Sequence, residues 1–563
     1  MSLKFADDKS QAKVVSVDTG TVFAKVLHLE DMQKFAVNKL VAINGRAGEY
    51  LIGLVSKLTR ISEKSEDDGM VCNDNIRISL IGTYKTVDGK KKEVFKRSLD
   101  SIPQIEASCW AIEGTELSVL MQVISNSSSQ ESNALTIGEY TLDETAKAYL
   151  NGDKFFQKHA VIVGSTGSGK SWTTALILEQ VASLKNSSAI IFDIHGEYSS
   201  MKGDGFSHFK IAGPNDLKKT IKENILFLPY WLLPYEAIIK MFVDRSDQNA
   251  PNQAAMTSTL VKEHKLKFIS SLKNKEDYEK NFTVDSPIYF DIHALLKELE
   301  ALDVQMVPGK TTDKQGPFHG KFTRFITRLE NKITDNRLGF MFQGGEETKK
   351  LEYLENIAEY LIGKTKNGVR VINFSEVPSD ILPLMVAMVA RLIFSLQQWS
   401  LKELRDPVAI FCDEAHNYIQ NITDADSSDE FAVQIFEKIA KEGRKFGVGL
   451  VVISQRPAEV SKTVLSQCGN FIAMRLTNAE DQHVIQRLLP DNLSGTIDAL
   501  PVLDVGEALV VGDACLLPSR IKIFTPKNEP LSSTVDFWTE WNAKERKADI
   551  KKASDNWRKQ IIS

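Results

Sequence analysis

The sequence predicts an α/β protein built on a parallel sheet, with a small β-barrel before the sheet and a helical bundle set into it. Three observations carry this. Residues 1–140 read as short strands broken by turns. From about residue 155 the pattern changes to strand, turn, helix, which implies a parallel sheet with helices on its faces. The two segments best suited to chemistry, GSTGSGKS at 164–171 and VAIFCDEAH at 408–416, stand far apart, with helix-like spacing between them.

The bulk numbers set the frame. A chain of 563 residues exceeds one hydrophobic core and predicts several domains. Hydrophobic content of 42% and charged content of 25% are ordinary for a globular protein. A net charge of −5 excludes a broadly basic nucleic-acid surface but allows a local basic channel. Cys72, Cys109, Cys412, Cys468 and Cys515 have no paired spacing, which fits a reducing cytoplasm rather than a zinc site or disulfide framework. The polar start MSLKFADDKSQ lacks a signal core. The stretch ILPLMVAMVARLIF at 381–394 contains Pro383 and Arg391 and falls short of the ~20 residues needed to span a bilayer. It is expected to be a buried helix, in a cytoplasmic protein with no membrane contact.

The elements follow in order. KVVSVDTGTVFAKVL, KLVAINGRAGEYLIGLVSKLTRI and IRISLIGTYKTVDGKKKEVFKRSL read as strand pairs, the last turning at Asp88-Gly89, and together they make a barrel over 1–140. The polar run SNSSSQESNA at 125–134 reads as a linker or loop. HAVIVG is a strand, STGSG a loop and KSWTTALILEQVASL a helix, and SAIIFDIHGEY is a further buried strand, so 141–214 forms the first part of the sheet domain. Residues 215–365 read as an inserted helical subdomain. The sheet resumes over 366–525 with VRVINFSEVP, VAIFCDEAH, VGLVVISQRP and FIAMRL. The tail 526–563 reads as a helical arm with Trp538 and Trp541 on one face.

GSTGSGKS matches G-x-x-x-x-G-K-[ST] in the strand–loop–helix setting the motif requires. Gly164, Ser165, Thr166, Gly167, Ser168 and Gly169 form a loop whose backbone N–H groups converge on phosphate oxygens, with the helix N-terminus behind them. Lys170 is expected to reach the β- and γ-phosphates of ATP, and the Ser171 hydroxyl to bind Mg2+, with Trp172 next on the helix. Asp413 ends an apolar strand, where a carboxylate can hold the Mg2+ shell, and Glu414 is placed to deprotonate the attacking water. The quartet DEAH suggests a DEAH-box helicase, but those carry two fused motor domains and only one is evident here. Gln455 ends the next strand, where it can sense the γ-phosphate. A lone motor core takes its transition-state cation from a neighbour. Arg444 is the candidate for that role, with Lys441 and Arg456 as rivals. Asp193, His195 and Glu197 in DIHGEY are better suited to a structural or nucleotide-coupling role than to metal binding.

The segments HAVIVGSTGSGKSWT, DIHGEY, GFMF (339–342), VRVINFSEVP, FCDEAHNYI, EGRKFGVGLVVISQRP and GEALVVG (506–512) resemble the HerA family of hexameric DNA-translocating ATPases, in the family's order. The resemblance implies a RecA-like P-loop ATPase core, an N-terminal barrel, an inserted helical bundle and a C-terminal arm bracing the next subunit. It carries the family's motif roles to Lys170, Ser171, Asp413, Glu414 and Gln455. Lys158 and His159 stand where the family often has Arg-His. The resemblance further implies a homo-hexamer passing double-stranded DNA through its pore. It implies a separate effector, a nuclease or a sirtuin-type NAD hydrolase, serving DNA end processing or anti-phage defence.

With no nuclease motif evident in this chain, the barrel is the expected docking platform, through NGRAGEY (44–50) and VDGKKKEVFKR (87–97). Candidate pore segments are PGKTTDKQGPFHGKF (308–322) and GKTKNG (363–368). The alternative to a motor is an ATP-regulated hexameric scaffold that activates an effector without processive translocation.

Overall fold

A computed structural model describes residues 3–18, 20–37, 39–46, 48–64, 70–87, 92–99, 101–129, 133–244, 246–310, 312–364, 368–421, 430–489, 499–532, 537–543 and 547–559. The expected Asp88-Gly89 turn and residues 365–367 of GKTKNG lie outside these residues. The chain forms two compact units, each interrupted in sequence. One comprises Met1–Val181, Ala409–His416 and Ile439–Glu529; the other comprises Ala182–Val408, Asn417–Lys438 and Pro530–Ser563.

The first unit opens with the barrel. Its strands are β1 (Ala12–Asp18), β2 (Thr21–Val26), β3 (Leu40–Asn44), β4 (Glu49–Lys64), β5 (Met70–Val87), β6 (Lys92–Lys96) and β7 (Ser108–Ala111). They run in the order β2-β1-β7-β3-β4-β5-β6, and a further pairing of β2 with β5, Thr21 opposite Ser79, closes six of them into a ring. β6 extends the far end of the long β5, with Thr83 opposite Lys96. Alternation explains the closure: Val22 and Ala24 on β2, and Ile76 and Ile78 on β5, point inward and are fully buried. Bulges between Val14 and Ser16 and between Val55 and Lys57 supply the curvature. Phe5 stacks on Trp110 at 5.1 Å and meets Tyr50 edge-on at 5.3 Å.

The barrel ends earlier than residue 140. A helix runs from Gly114 to Ser129 through the first half of the expected linker, because Leu120, Met121 and Ile124 bury one face of it while the serines and asparagines stay mostly on the other. The next strands, β8 (Ala134–Tyr140) and β9 (Asp143–Asn151), join the sheet of the core, since Tyr140 pairs with Ile521.

That sheet contains β10 (Ala160–Val163), β17 (Val408–Cys412), β18 (Val448–Ser454), β19 (Asn470–Met474), β20 (Glu507–Gly512) and β21 (Ser519–Ile523). In this unit the order is β17-β18-β10-β19-β20-β21-β8-β9. β10 is parallel to both neighbours, with Val163 opposite Ser454 and Ala473. From β19 onward the pairing is antiparallel. The sheet is therefore mixed rather than wholly parallel, and its parallel centre, fully buried along β10, is where the P-loop emerges.

The second unit has four parallel strands: β11 (Ser188–Asp193), β12 (Phe206–Ile211), β13 (Ile225–Leu226) and β16 (Gly368–Asn373), in the order β13-β12-β16-β11. The helices Tyr235–Phe242, Ala250–Ser270, Ile292–Asp303, Thr323–Thr334 and Tyr353–Ile362 lie between β13 and β16 in sequence, so an insertion separates neighbouring parts of one sheet. Asp291 caps its helix by accepting the N–H groups of His293 and Ala294, and Pro251 occupies the first turn of another. A short ribbon pairs β14 (Met306–Val307) with the exposed β15 (Lys314–Gln315), and β15 lies in the candidate segment 308–322.

Arg370 on β16 is 1% exposed and donates to the carbonyls of Tyr360 and Gly363 and to Ser188 Oγ, tying the end of the insertion to the sheet. Among the described residues the helix Leu382–Trp399 is long and apolar enough to cross a membrane, and 61% of it is buried inside the protein. The tail forms short helices at Phe537–Trp541 and Ile550–Lys559, with Trp538, Trp541 and Trp557 exposed.

Candidate active site

All the catalytic and nucleotide-binding candidates lie in the first unit. β10 delivers the P-loop and the helix Lys170–Ala182 leaves it. Gly169 has φ +111°, a conformation closed to side chains, and a Cβ there would also sit 2.8 Å from Met474 Cε. At Gly164 a Cβ would meet Ser168 Oγ. Ser165 N–H donates to Arg475 O, and Ser168 N–H to Ser165 O, which closes the loop on itself. Lys170 is 8% exposed, and its ammonium donates to Ser165 O at 3.2 Å, so it lies back over the loop. Its neighbour Ser171 is partly exposed, as is Trp172.

The loop suits a phosphate chain. The first N–H groups of the helix after Gly169 have no intrahelical acceptor. The Ser168 hydroxyl is fully buried and has no hydrogen-bond partner among the described residues. An anion there would meet N–H donors, a helix N-terminus and a lysine amine.

Gln455 reaches the loop directly. Thr166 Oγ1 donates to Gln455 Oε1 at 2.7 Å, across 289 positions of sequence. β10 and β18 are adjacent, so the residue just past the end of β18 faces the loop just past the end of β10. An open groove of ≈ 360 Å³ lies beside this contact, lined by Ser165, Thr166, Gln455, Arg456, Glu459 and Asp481 among others.

Asp413 follows β17 and is 4% exposed. Glu414 beside it has φ +45°, a left-handed conformation that costs a residue with a Cβ about 1–2 kcal/mol. Its carboxylate lies 3.2 Å from His416 Nδ1.

The three cations stand differently. Arg444 is exposed on the short turn Gly443–Phe446 between the helix Glu430–Glu442 and β18. Arg456 is paired with Glu459 at 2.9 Å, and Lys441 is exposed at its helix end. Within this subunit the structure does not place Arg444 against the P-loop.

His159 is 3% exposed with φ +54°; its Nδ1 accepts the Leu450 N–H and its Nε2 donates to Ala440 O at 3.1 Å. Burial lowers its pKa, which keeps the ring neutral. It joins the strand before the P-loop to β18, while Lys158 pairs at 3.8 Å with Asp513.

DIHGEY belongs to the second unit. Asp193 is fully buried and accepts the N–H groups of Glu197 and Tyr198, which gives it a structural job. Burial pushes its pKa up to about 6. Among the described residues, no group of three or more His, Cys, Asp and Glu could hold a metal ion.

Sequence reasoning did not single out His416, which lies beside Glu414, or Ser454, whose Oγ lies 3.3 Å from His416 Nδ1. His416 stood inside the quartet DEAH and was read only as part of that label. Ser454 reads as one more small residue in a buried strand.

Two consecutive family models match this chain: "Helicase HerA, central domain" over residues 135–393 and "Helicase HerA-like C-terminal" over 393–524. The chain belongs to the HerA helicase family. That places it among P-loop ATPases of the DNA helicase and translocase class.

A "DNA double-strand break repair helicase HerA" of Saccharolobus solfataricus is 26% identical over 405 residues, covering 70% of each chain. A "Probable DNA double-strand break repair helicase HerA" of Methanocaldococcus jannaschii is 24% identical over 546 residues, covering 91% of this chain and 94% of the relative. Among solved structures, VirB4 of Thermoanaerobacter pseudethanolicus is similar at TM-score 0.49 and 15% identity, covering 71% of this chain and 98% of that one.

Proposed function

We propose that this HerA-family ATPase is a ring-forming motor that hydrolyses ATP with Mg2+ to move double-stranded DNA and works with a separate effector protein. In this reading the loop 164–169, with Trp172 beyond it, binds the nucleotide. Lys170 neutralises the β- and γ-phosphates, and Ser171 and Asp413 hold Mg2+, which screens the phosphate charge. Glu414 takes the proton of the attacking water, and Gln455 reports the state of the γ-phosphate. Arg444, exposed at a turn, is the cation offered to a neighbouring subunit's site.

The observation that carries the reading is the Thr166–Gln455 hydrogen bond at 2.7 Å. It joins the phosphate loop to the adjacent strand end, as a machine that converts phosphate state into movement requires. Relatives named as DNA repair helicases support DNA as the polymer.

The effector is proposed as a nuclease or an NAD hydrolase docking on the barrel, in DNA end processing or anti-phage defence. The net charge of −5 favours one rival, an ATP-regulated scaffold that activates the effector without processive transport. Stimulation of ATP turnover by duplex DNA supports the motor; turnover indifferent to DNA supports the scaffold.

Two variants test the site. Lys170→Ala should lose turnover and bind ATP at least about tenfold more weakly, because the phosphate charge is unmet. Glu414→Gln should lose turnover yet keep ATP bound, because phosphate and metal contacts survive. Nucleotide affinity measured beside turnover separates them, and normal turnover in either variant overturns the assignment.

A further inference from the structure

Glu414 follows Asp413 just past the end of β17. Its φ of +45° turns its side chain out of the line of β17, and a strained backbone persists only where its surroundings enforce it. One neighbour of its carboxylate is His416, whose side chain is 10% exposed; Nδ1 lies 3.2 Å from Glu414 Oε2, an ion-pair distance rather than a hydrogen bond. The same Nδ1 lies 3.3 Å from Ser454 Oγ. Ser454 is fully buried, and its Oγ accepts the Arg456 N–H at 3.0 Å, so the hydroxyl oxygen is fixed by the backbone that follows it. Between those two residues stands Gln455, which accepts the hydrogen bond from Thr166 of the P-loop. One strand end therefore touches both halves of the site.

We propose that His416 is a positioning residue for the Glu414 carboxylate, anchored by Ser454 to the strand end that reads the P-loop. The inference rests on the reading of Glu414 as the base. Phosphate entering the loop competes for the Thr166 hydroxyl and frees Gln455. Ser454, one peptide away, cannot stay unaffected, and through its contact with His416 the change reaches the base. Filling of the loop and aim of the base are then coupled through Ser454 and His416 rather than through the nucleotide alone.

The test measures ATP turnover and nucleotide affinity of the full chain in duplex DNA. His416→Phe keeps a ring of similar size and removes both nitrogens. It should lower kcat at least about tenfold and leave ATP affinity within about twofold, since misplacing a catalytic group is costly to rate and not to binding. His416→Asn sets an amide where Nδ1 stood and should recover most of the rate; His416→Gln sets its amide one methylene farther and should not. Ser454→Ala should slow turnover less, and its effect should vanish in the His416→Phe background.

Wild-type turnover in His416→Phe, equal rates for the Asn and Gln variants, or independent multiplication of the His416 and Ser454 losses would each overturn the proposal. Where His416→Phe does not fold, the comparison of Asn with Gln decides. Normal turnover in Glu414→Gln removes the base reading itself. An inactive Glu414→Gln beside a normal His416→Phe removes only the positioning role.

Discussion

Asp193 shows how one buried carboxylate can shape pH dependence. Burial outweighs the backbone N–H groups it accepts and holds its pKa near 6, above the ordinary value of 3.8. The native state thus binds the proton more tightly than the unfolded chain. The group's contribution to stability is largest below about pH 4 and is lost as pH rises through 6, because between those values the folded protein carries the extra proton. Asp193→Asn lacks this titration. The thermal-unfolding gap between wild type and variant should therefore widen in favour of wild type between pH 7 and pH 5, by about 1 kcal/mol, since pH 5 lies only one decade below the folded-state value. A gap that is constant with pH would refute the raised pKa of the buried carboxylate. His159 illustrates the opposite sign at the same scale: burial disfavours the charged ring, so it serves as a neutral bridge between two backbone groups.

Among the elements, β16 and the helix Tyr353–Ile362 are coupled by Arg370. Its guanidinium donates to two carbonyls and a hydroxyl, and burial lowers its pKa to about 10. Lysine cannot reproduce a planar fork of three donors. Arg370→Lys should destabilise the second unit by about 2–3 kcal/mol while ATP affinity at the P-loop stays within about twofold. Limited proteolysis of the insertion together with a nucleotide titration checks both. Cleavage unchanged from wild type would mean that the clamp contributes little.

Local pattern and tertiary packing compete most openly in the stretch 125–129. Its serines and asparagines favour a loop, yet it completes a helix because Leu120, Met121 and Ile124 are buried. Barrel strands and P-loop were legible because alternation and a fixed glycine spacing are local signals. The antiparallel edge of β20, β21, β8 and β9 was not, since strand direction depends on partners distant in sequence.

In the proposed ring, assembly would supply the cation that completes the site. Arg444 is exposed and stands on a turn within its own subunit. In the proposed ring it acts on the neighbour's nucleotide. Arg444→Ala and Glu414→Gln should each be inactive alone, and mixing the two should restore part of the turnover, because some interfaces regain both residues. Mixed subunits that stay inactive, or a fully active dilute monomer, would rule out a shared site. The exposed Trp538, Trp541 and Trp557 of the tail are consistent with an arm that finds its cover on another copy.

The sequence by itself made the P-loop, the acidic pair Asp413–Glu414, the barrel and the insertion legible through local spacing and order, and its motif segments carried the resemblance to the HerA family. Such signals depend on the period of a strand or helix and on the loop geometry that glycine permits, and neighbours in sequence set both. Only the tertiary structure decided where the barrel ends, which strands run antiparallel, that Asp193 is structural, and that Gln455 touches Thr166. It also brought Ser454 and His416 together behind Glu414. Each of these depends on residues brought together by strand pairing across tens to hundreds of positions, and no local pattern in the chain encodes which strand ends will meet.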